Sequence, residues 1–189
     1  MENTILGTYQ FPSKQVLSLI EGDLTLQKVD AIVSAANARL RHGGGVAHLI
    51  VQRGGKVINR ESQAWLREHG PVSHSQPAYT SAGDLECRYI IHAVGPVWGR
   101  GDEDDNLKTA IRSSLKLAEE LSLTSIAFCA ISTGIFGFPK QRAASVFYEV
   151  FKEYFKERSD SQLADVRMVV YDEATRSAFA KVWEKEFGG

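Results

Sequence analysis

The sequence predicts an α/β fold in which helices cover both faces of a mixed, mostly parallel sheet. Short apolar runs alternate with amphipathic helical patterns along the chain. The centres of several runs are continuously apolar, which is typical of strands buried on both faces of a sheet. Two strand patterns at the amino end are joined by a short turn containing Pro12, which predicts one antiparallel edge.

The elements follow from the spacing of apolar residues and from the Gly, Pro and Asp residues that bound them. The predicted strands are 4–9, 15–20, 30–34, 78–81, 89–94, 125–131 and 166–171. Helical spacing indicates helices near 46–53, 56–69, 107–121, 139–154 and 172–183. Asp105 or Asn106 is expected to cap the third helix, and Asp172 the last.

The composition is that of an ordinary soluble protein. The 189 residues are 43% hydrophobic and 24% charged, which predicts one domain spanning 1–189. A net charge of −1 predicts no general attraction to nucleic acid or membrane. The amino end lacks a signal-peptide pattern and no apolar stretch is long enough to span a membrane, so a cytoplasmic location is expected. Cys87 and Cys129 have no metal-ligand spacing, which predicts reduced thiols and no bound metal.

One stretch, residues 35–46, combines Asn37 with the glycine triplet Gly43–Gly45 between a strand and a helix. Glycines allow φ > 0 and let a ligand approach backbone N–H groups closely. The start of the following helix presents unpaired N–H groups to the same place, which suits a phosphate. Asn37 adds an amide donor and acceptor. A flexible surface turn is the alternative.

Ligands of open α/β sheets bind beyond the carboxyl ends of the strands. That rule selects five turns: Gly22–Asp23, 37–46, Gly95–Pro96, 132–138 and Tyr171–Asp172. Two of them are glycine-rich and precede helices, which favours a diphosphate. Asp23 could accept a hydrogen bond from an exocyclic amine, and Tyr171 or Phe136 could pack on a ring. Neither glycine turn has the Rossmann or Walker spacing, so a dehydrogenase and a P-loop NTPase are both disfavoured.

Taken together, the motifs resemble those of the macrodomain family. They are the blocks 22–25, 30–37, 42–46, 92–96 and 132–137, which occur in the family's order. The resemblance implies a three-layer α/β/α sandwich that binds ADP-ribose or ADP-ribosylated protein and needs no cofactor. The oligomeric state is left open.

The resemblance also implies a role for each site residue. Asp23 would bind the adenine amine and Tyr171 would stack on the adenine, while Asn37 would lie beside the distal ribose. The implied ligand-binding set is Gly22, Asp23, Leu24, Ala36, Asn37, Gly43, Gly44, Gly45, Val46, Ser132, Thr133, Gly134, Ile135, Phe136 and Tyr171. Without the family, Asp23 could be only a turn residue, and Tyr171, Phe138 and His92 could belong to the core.

Whether the chain is also an enzyme depends on the residue after the glycine triplet and Val46. Many macrodomains that hydrolyse ADP-ribosyl bonds carry an acidic residue there, and this chain has Ala47. His48 is adjacent but is rotated by roughly 100° around the helix. The main hypothesis is therefore a binding module. The alternative is a slow hydrolase of ADP-ribosyl esters or of ADP-ribose-1″-phosphate with Asn37 as catalytic residue. A poly(A)-binding or RNA-binding module is a weaker third hypothesis, disfavoured by the charge.

Overall fold

The strands and helices lie close to the positions that the sequence predicts. The computed structural model describes residues 3–188, so Met1, Glu2 and Gly189 of the expected 1–189 domain lie outside the described residues. Its strands are β1 (Thr4–Gln10), β2 (Val16–Glu21), β3 (Ala31–Ala35), β4 (Ala78–Ser81), β5 (Tyr89–Ala93), β6 (Ser125–Phe128) and β7 (Asp165–Val170). Its helices are α1 (Gly45–Gly54), α2 (Lys56–His69), α3 (Glu103–Glu120), α4 (Lys140–Glu157) and α5 (Glu173–Phe187).

The strands form one sheet in the order β1-β2-β7-β6-β3-β5-β4. The five central strands are parallel to one another, and β1 pairs with β2 in antiparallel fashion, as predicted. The opposite edge is also antiparallel, because β4 reverses into β5 through the turn at 82–88. The sequence pattern does not predict this second antiparallel edge.

Two helical layers enclose the sheet and confirm the α/β/α sandwich. Successive residues of each central strand point to opposite faces of the sheet and belong to different cores, as Ile90 and Ile91 of β5 do. Helices α3, α4 and α5 cover one face with a core that includes Phe147 and Phe179. Helices α1 and α2 cover the other face through Ile50 and Ile58. Burial on both sides explains why the strands are continuously apolar in sequence.

Two predicted boundaries are wrong. Helix α3 begins at Glu103 rather than after Asp105 or Asn106, and its cap residue Asp102 has φ +54 and makes no side-chain capping bond. Three acidic residues in the first turn, 103–105, favour this earlier start because they face the positive end of the helix. Strand β6 ends at Phe128, because the apolar residues 129–131 already form the turn that leaves the sheet.

The cysteines and helices add three facts. Cys87 and Cys129 are free thiols, and burial raises their pKa values to about 11 and about 12, so both remain protonated at neutral pH. Within residues 3–188, no group of three or more His, Cys, Asp or Glu side chains is placed to hold a metal ion. None of the described helices is long and apolar enough to cross a membrane.

Candidate functional site

A cleft of about 740 Å³ runs along the edge of the sheet at which the parallel strands end. The turns after β2, β7, β6, β3 and β5 line it, and these strands are neighbours in that order. The structure brings all of the predicted ligand-binding residues together along this cleft: Gly22, Asp23, Leu24, Ala36, Asn37, Gly43, Gly44, Gly45, Val46, Ser132, Thr133, Gly134, Ile135, Phe136 and Tyr171. Phe138 is instead buried in the core, with 1% of its surface exposed.

Asp23 lies at the β2 end of the cleft and caps the 3₁₀ turn Leu24–Leu26. Its Oδ1 accepts hydrogen bonds from Thr25 N (2.9 Å) and Thr25 Oγ1 (2.7 Å), and Arg53 Nη1 lies 2.7 Å from its Oδ2. Its own N–H donates to Asn3 Oδ1 at 3.1 Å. The turn-residue interpretation of Asp23 is therefore correct, and it does not exclude a ligand, because Oδ2 accepts a bond only from Arg53 and keeps a second lone pair.

Electrostatics keep the Asp23 carboxyl group ionised. Burial by itself would raise its pKa, but the hydrogen bonds from Thr25 and the nearby Arg53 guanidinium outweigh burial, so the pKa lies below its ordinary value. At neutral pH the group is only a hydrogen-bond acceptor, which suits an amine donor and repels a carbonyl oxygen.

Tyr171 stands at the mouth of the same end of the cleft, directly after β7. Its residue surface is 61% exposed, so the interpretation of Tyr171 as a core residue is wrong. The next residue fixes the backbone here, because Asp172 caps α5 by accepting bonds from Thr175 N (2.9 Å) and Thr175 Oγ1 (2.6 Å). An exposed ring on a fixed backbone can receive a planar ligand on its face.

The first glycine loop ends at the amino terminus of α1. Gly45 has φ +58, whereas Gly44 is extended with φ −166. The first hydrogen bond of α1 runs from His48 N to Gly44 O at 3.3 Å. The N–H groups of Gly45, Val46 and Ala47 therefore precede the helical ladder at its positive end, where an anion would be stabilised.

The Asn37 side chain holds the chain that leads into this loop. Its Oδ1 accepts bonds from Arg39 N (3.2 Å) and Arg41 N (3.0 Å), and its Nδ2 donates to Arg41 O (2.8 Å). Leu40 is buried between the two arginines, with 2% of its surface exposed. Residues 37–41 are therefore held in place by hydrogen bonds and by the core, and one amide N–H of Asn37 remains for a ligand.

The second glycine loop follows β6 and faces the first across the cleft. Ser132 has φ +68, and its buried hydroxyl has no partner among the described residues. None of the N–H groups of residues 134–136 donates a hydrogen bond within residues 3–188. A Cβ on Gly44 would lie only 3.8 Å from Ile135 Cδ1, so the two loops approach each other closely. Unpaired donors on facing loops form a cradle for an anionic group.

The comparisons with known proteins agree with this geometry. The Macro domain family profile matches residues 33–147, and a protein of Sulfolobus acidocaldarius is 46% identical over 176 residues, which are 93% of this chain and 94% of that protein. The chain belongs to the Macro domain family.

Other relatives differ in length. A Macro domain-containing protein of Caldanaerobacter subterraneus is 39% identical to this chain over 91% of it and 98% of the relative. A protein of Thermotoga maritima is 44% identical over 90% of this chain, which spans only 28% of that longer relative.

Solved macrodomain structures share the fold. The Oceanobacillus iheyensis macrodomain with ADP superimposes with a TM-score of 0.89 at 25% identity, covering 98% of this chain and 97% of that one. The Trypanosoma brucei macrodomain in complex with ADP-ribose gives a TM-score of 0.80 at 31% identity, covering 88% of this chain and 68% of that one.

This macrodomain has Ala47 on the wall of the cleft, where it is buried. His48 is exposed and does not line the cleft, in agreement with the helical rotation predicted for it. The only carboxylates among the described lining residues are Asp23 and Asp172, both at the β2 and β7 end. His92 lies wholly in the core, as expected.

Three residues around Asp23 are not predicted by the sequence patterns: Asn3, Thr25 and Arg53. Arg53 and Asn3 lie 30 and 20 positions from Asp23 and carry no motif of their own. Thr25 belongs to the motif 22–25, but the sequence patterns assign it no role. Asp followed two residues later by Thr is a local capping pattern, and this pattern could have predicted the bond between Asp23 and Thr25.

Proposed function

We propose that this macrodomain binds ADP-ribose, both free and as a mono-ADP-ribosyl group on protein. One observation carries the proposal: a single cleft has an ionised carboxylate and an exposed ring at one end, and two facing loops with unpaired N–H groups beyond them. Asp23 and Tyr171 suit the amine and the face of adenine, and the two loops suit a diphosphate. The ADP-ribose named for the Trypanosoma brucei structure supports the same choice.

We infer that binding, rather than hydrolysis, is the main role. The Asn37 end of the cleft, to which the proposal assigns the distal ribose, has no carboxylate or imidazole among its described lining residues. A placed general base contributes about 10²–10⁴ in rate. Water positioned by Asn37 or by a substrate phosphate would leave a slow hydrolase of esters on Asp or Glu, O-acetyl-ADP-ribose or ADP-ribose-1″-phosphate.

The phosphate site is tested by titration calorimetry of ADP-ribose with Gly44→Glu and its uncharged match Gly44→Gln. Gly44 is extended, and a Cβ added to it would have only Ile135 Cδ1 within 4 Å, so both side chains fit without backbone strain. We expect Gly44→Glu to weaken binding about 100-fold or more and Gly44→Gln to weaken it much less, because a carboxylate repels the diphosphate. Equal, small effects would contradict the proposal.

Hydrolysis of ADP-ribosyl bonds and binding of RNA are tested by two separate experiments. Incubation with mono-ADP-ribosylated protein and with O-acetyl-ADP-ribose, followed by mass spectrometry of the released nucleotide, distinguishes a binder from a hydrolase. A salt titration of poly(A) binding tests the third hypothesis, because a genuine polyanion interface loses affinity steeply as salt rises.

A further inference from the structure

A second, shallower pocket of about 280 Å³ lies beyond the Asn37 end of the cleft. Arg39, Arg41 and Arg67 line it together with Gln63, Leu66, Gly70 and Pro71, and its described lining includes no carboxylate. We call it the basic pocket. Arg41 also lines the ADP-ribose cleft, so the two depressions are neighbours.

The three guanidinium groups of the basic pocket are available to a ligand. Within residues 3–188, none of these side chains forms an ion pair or donates a side-chain hydrogen bond, and all three residues are exposed. Elsewhere in the described chain, six arginines pair with carboxylates: Arg53, Arg112, Arg142, Arg158, Arg167 and Arg176. Three such cations around one pocket make a local positive potential on a chain whose net charge is −1.

The backbone beneath these arginines is fixed before any partner binds. The Asn37 amide bonds the backbone of both Arg39 and Arg41, and Leu40 anchors the segment in the core. Ala38 O accepts a bond from Val72 N at 2.8 Å, which ties the segment to the turn after α2. Arg67 lies in the last turn of α2. A fixed backbone limits the ordering cost of anion binding to that of the arginine side chains.

We propose that the basic pocket binds acidic side chains of the protein segment that carries the ADP-ribosyl group. The inference rests on the proposed ADP-ribose function, which places the distal ribose at Asn37, next to Arg41. A polypeptide attached to that ribose leaves the cleft past the basic pocket. Guanidinium groups on separate backbone segments suit spaced carboxylates along an extended peptide.

A second ADP-ribose unit fits this pocket less well than a peptide does. The basic pocket has little more than a third of the volume of the main cleft. None of its described lining residues is aromatic, so an adenine would have no ring to stack on. Size and lining therefore favour carboxylate side chains over a nucleotide.

The test uses the full chain and the double variant Arg39→Gln/Arg67→Gln, with Arg60→Gln as matched control. Arg60 is an exposed arginine on α2 that lines neither pocket. The ligands are free ADP-ribose, an ADP-ribose dimer, and one short ADP-ribosylated peptide made with either glutamate or glutamine flanks. We expect the double variant to lose about three- to tenfold in affinity for the glutamate peptide, and to bind ADP-ribose and the glutamine peptide as the wild type does.

The outcomes separate the two proposals. If the wild type fails to bind free ADP-ribose, the proposed function is wrong. If it binds ADP-ribose but does not distinguish the two peptides, only the basic-pocket proposal is overturned. A double variant that loses affinity for an ADP-ribose dimer, but not for the glutamate peptide, would also overturn the choice of an acidic peptide.

Discussion

The proposed function gives the Asp23 carboxylate a ligand-binding task in addition to its structural one. Thr25 occupies Oδ1 and Arg53 occupies one side of Oδ2, so the group is held in one orientation while it still borders the cleft. An ionised acceptor fixed in this way discriminates an amino group from a carbonyl at the edge of a base. The orientation depends on Arg53, which no sequence pattern links to Asp23.

Replacing Asp23 by Ala should weaken ADP-ribose binding by about 1.5–3 kcal/mol, because a charge-assisted hydrogen bond to a buried carboxylate is lost. Calorimetry measures the change. Asp30→Ala is the matched control, since the Asp30 carboxylate also accepts several bonds, from Thr124 and Ser125, but does not line the cleft. Comparable losses in the two variants would mean that Asp23 acts through the fold alone.

The cleft residues are largely predictable because their signals are local. Asn37, the glycine loops and Tyr171 all follow a strand pattern directly, and strand ends of a parallel sheet meet at one edge. The partners of Asp23 are not predictable, since the contact between Asp23 and Arg53 exists only once α1 packs against the 3₁₀ turn that follows β2. The basic pocket also depends on tertiary contacts, because Arg67 and Arg39 line the same pocket only when α2 packs in its place.

Among the elements, the turn after β4 and the end of α1 are joined backbone to backbone. Asp84 N donates to Gly54 O at 3.1 Å, and a Cβ on Gly83 would overlap the same oxygen. Gly83 also has φ +59. A side chain at residue 83 therefore meets both an unfavourable backbone conformation and a backbone atom that cannot move without shifting α1.

We expect Gly83→Ala to lower the free energy of unfolding by about 3 kcal/mol or more, through overpacking added to φ strain. Gly45→Ala is the matched control: it has nearly the same φ, +58, but open space around its Cβ position, so it should cost about 1 kcal/mol. Urea denaturation of the apo protein measures both. Equal losses of unfolding free energy in the two variants would show that the close approach at Gly83 does not affect stability.

Element types are predicted better than element ends. The apolar run at 125–131 does not reveal that β6 stops at Phe128, because the apolar residues of the following turn also pack against the core. The predicted start of α3 is wrong because it relies on a capping side chain, whereas Glu103 instead orders the preceding loop by accepting bonds from Gly99 N and Gly101 N.

At the scale of the whole molecule, His92 couples stability to pH. It is fully buried between the sheet and α2, its Nε2 lies 3.0 Å from Thr80 Oγ1, and the His42 ring is 5.2 Å away. Burial, together with the charge that His42 can carry, lowers the pKa of His92 to about 3. Burial lowers the pKa of His42 as well.

Because the folded state holds His92 neutral and the unfolded state protonates it near pH 6.5, stability should fall as the pH drops below that value. The expected slope from His92 alone is up to about 1.4 kcal/mol per pH unit, or about 2 kcal/mol by pH 5, and the lowered pKa of His42 adds to it. The lowered pKa values of Asp23 and Asp30 place their effect in the acid range near and below pH 4.

Chemical denaturation at pH 7.5 and pH 5 tests this linkage. His92→Gln, which keeps a polar partner for Thr80, should remove most of the difference between the two pH values. A wild type equally stable at both would contradict a buried, neutral His92.

The global topology is predicted only in part. A short turn between two strand patterns identifies the β1 edge. The connection 82–88 between β4 and β5 carries no such turn motif, and only its length, too short for a parallel crossover, could have revealed the second antiparallel edge.

The bond between Asn3 and Asp23 determines where additional sequence can be attached. Because β1 is antiparallel to β2, the chain enters the fold at the cleft edge, and a fusion partner placed ahead of Asn3 would emerge beside the Asp23 end of the cleft. Helix α5 starts at the same edge and carries the chain about 22 Å away over its 15 residues. Affinity tags and immobilisation linkers therefore belong at the carboxyl end.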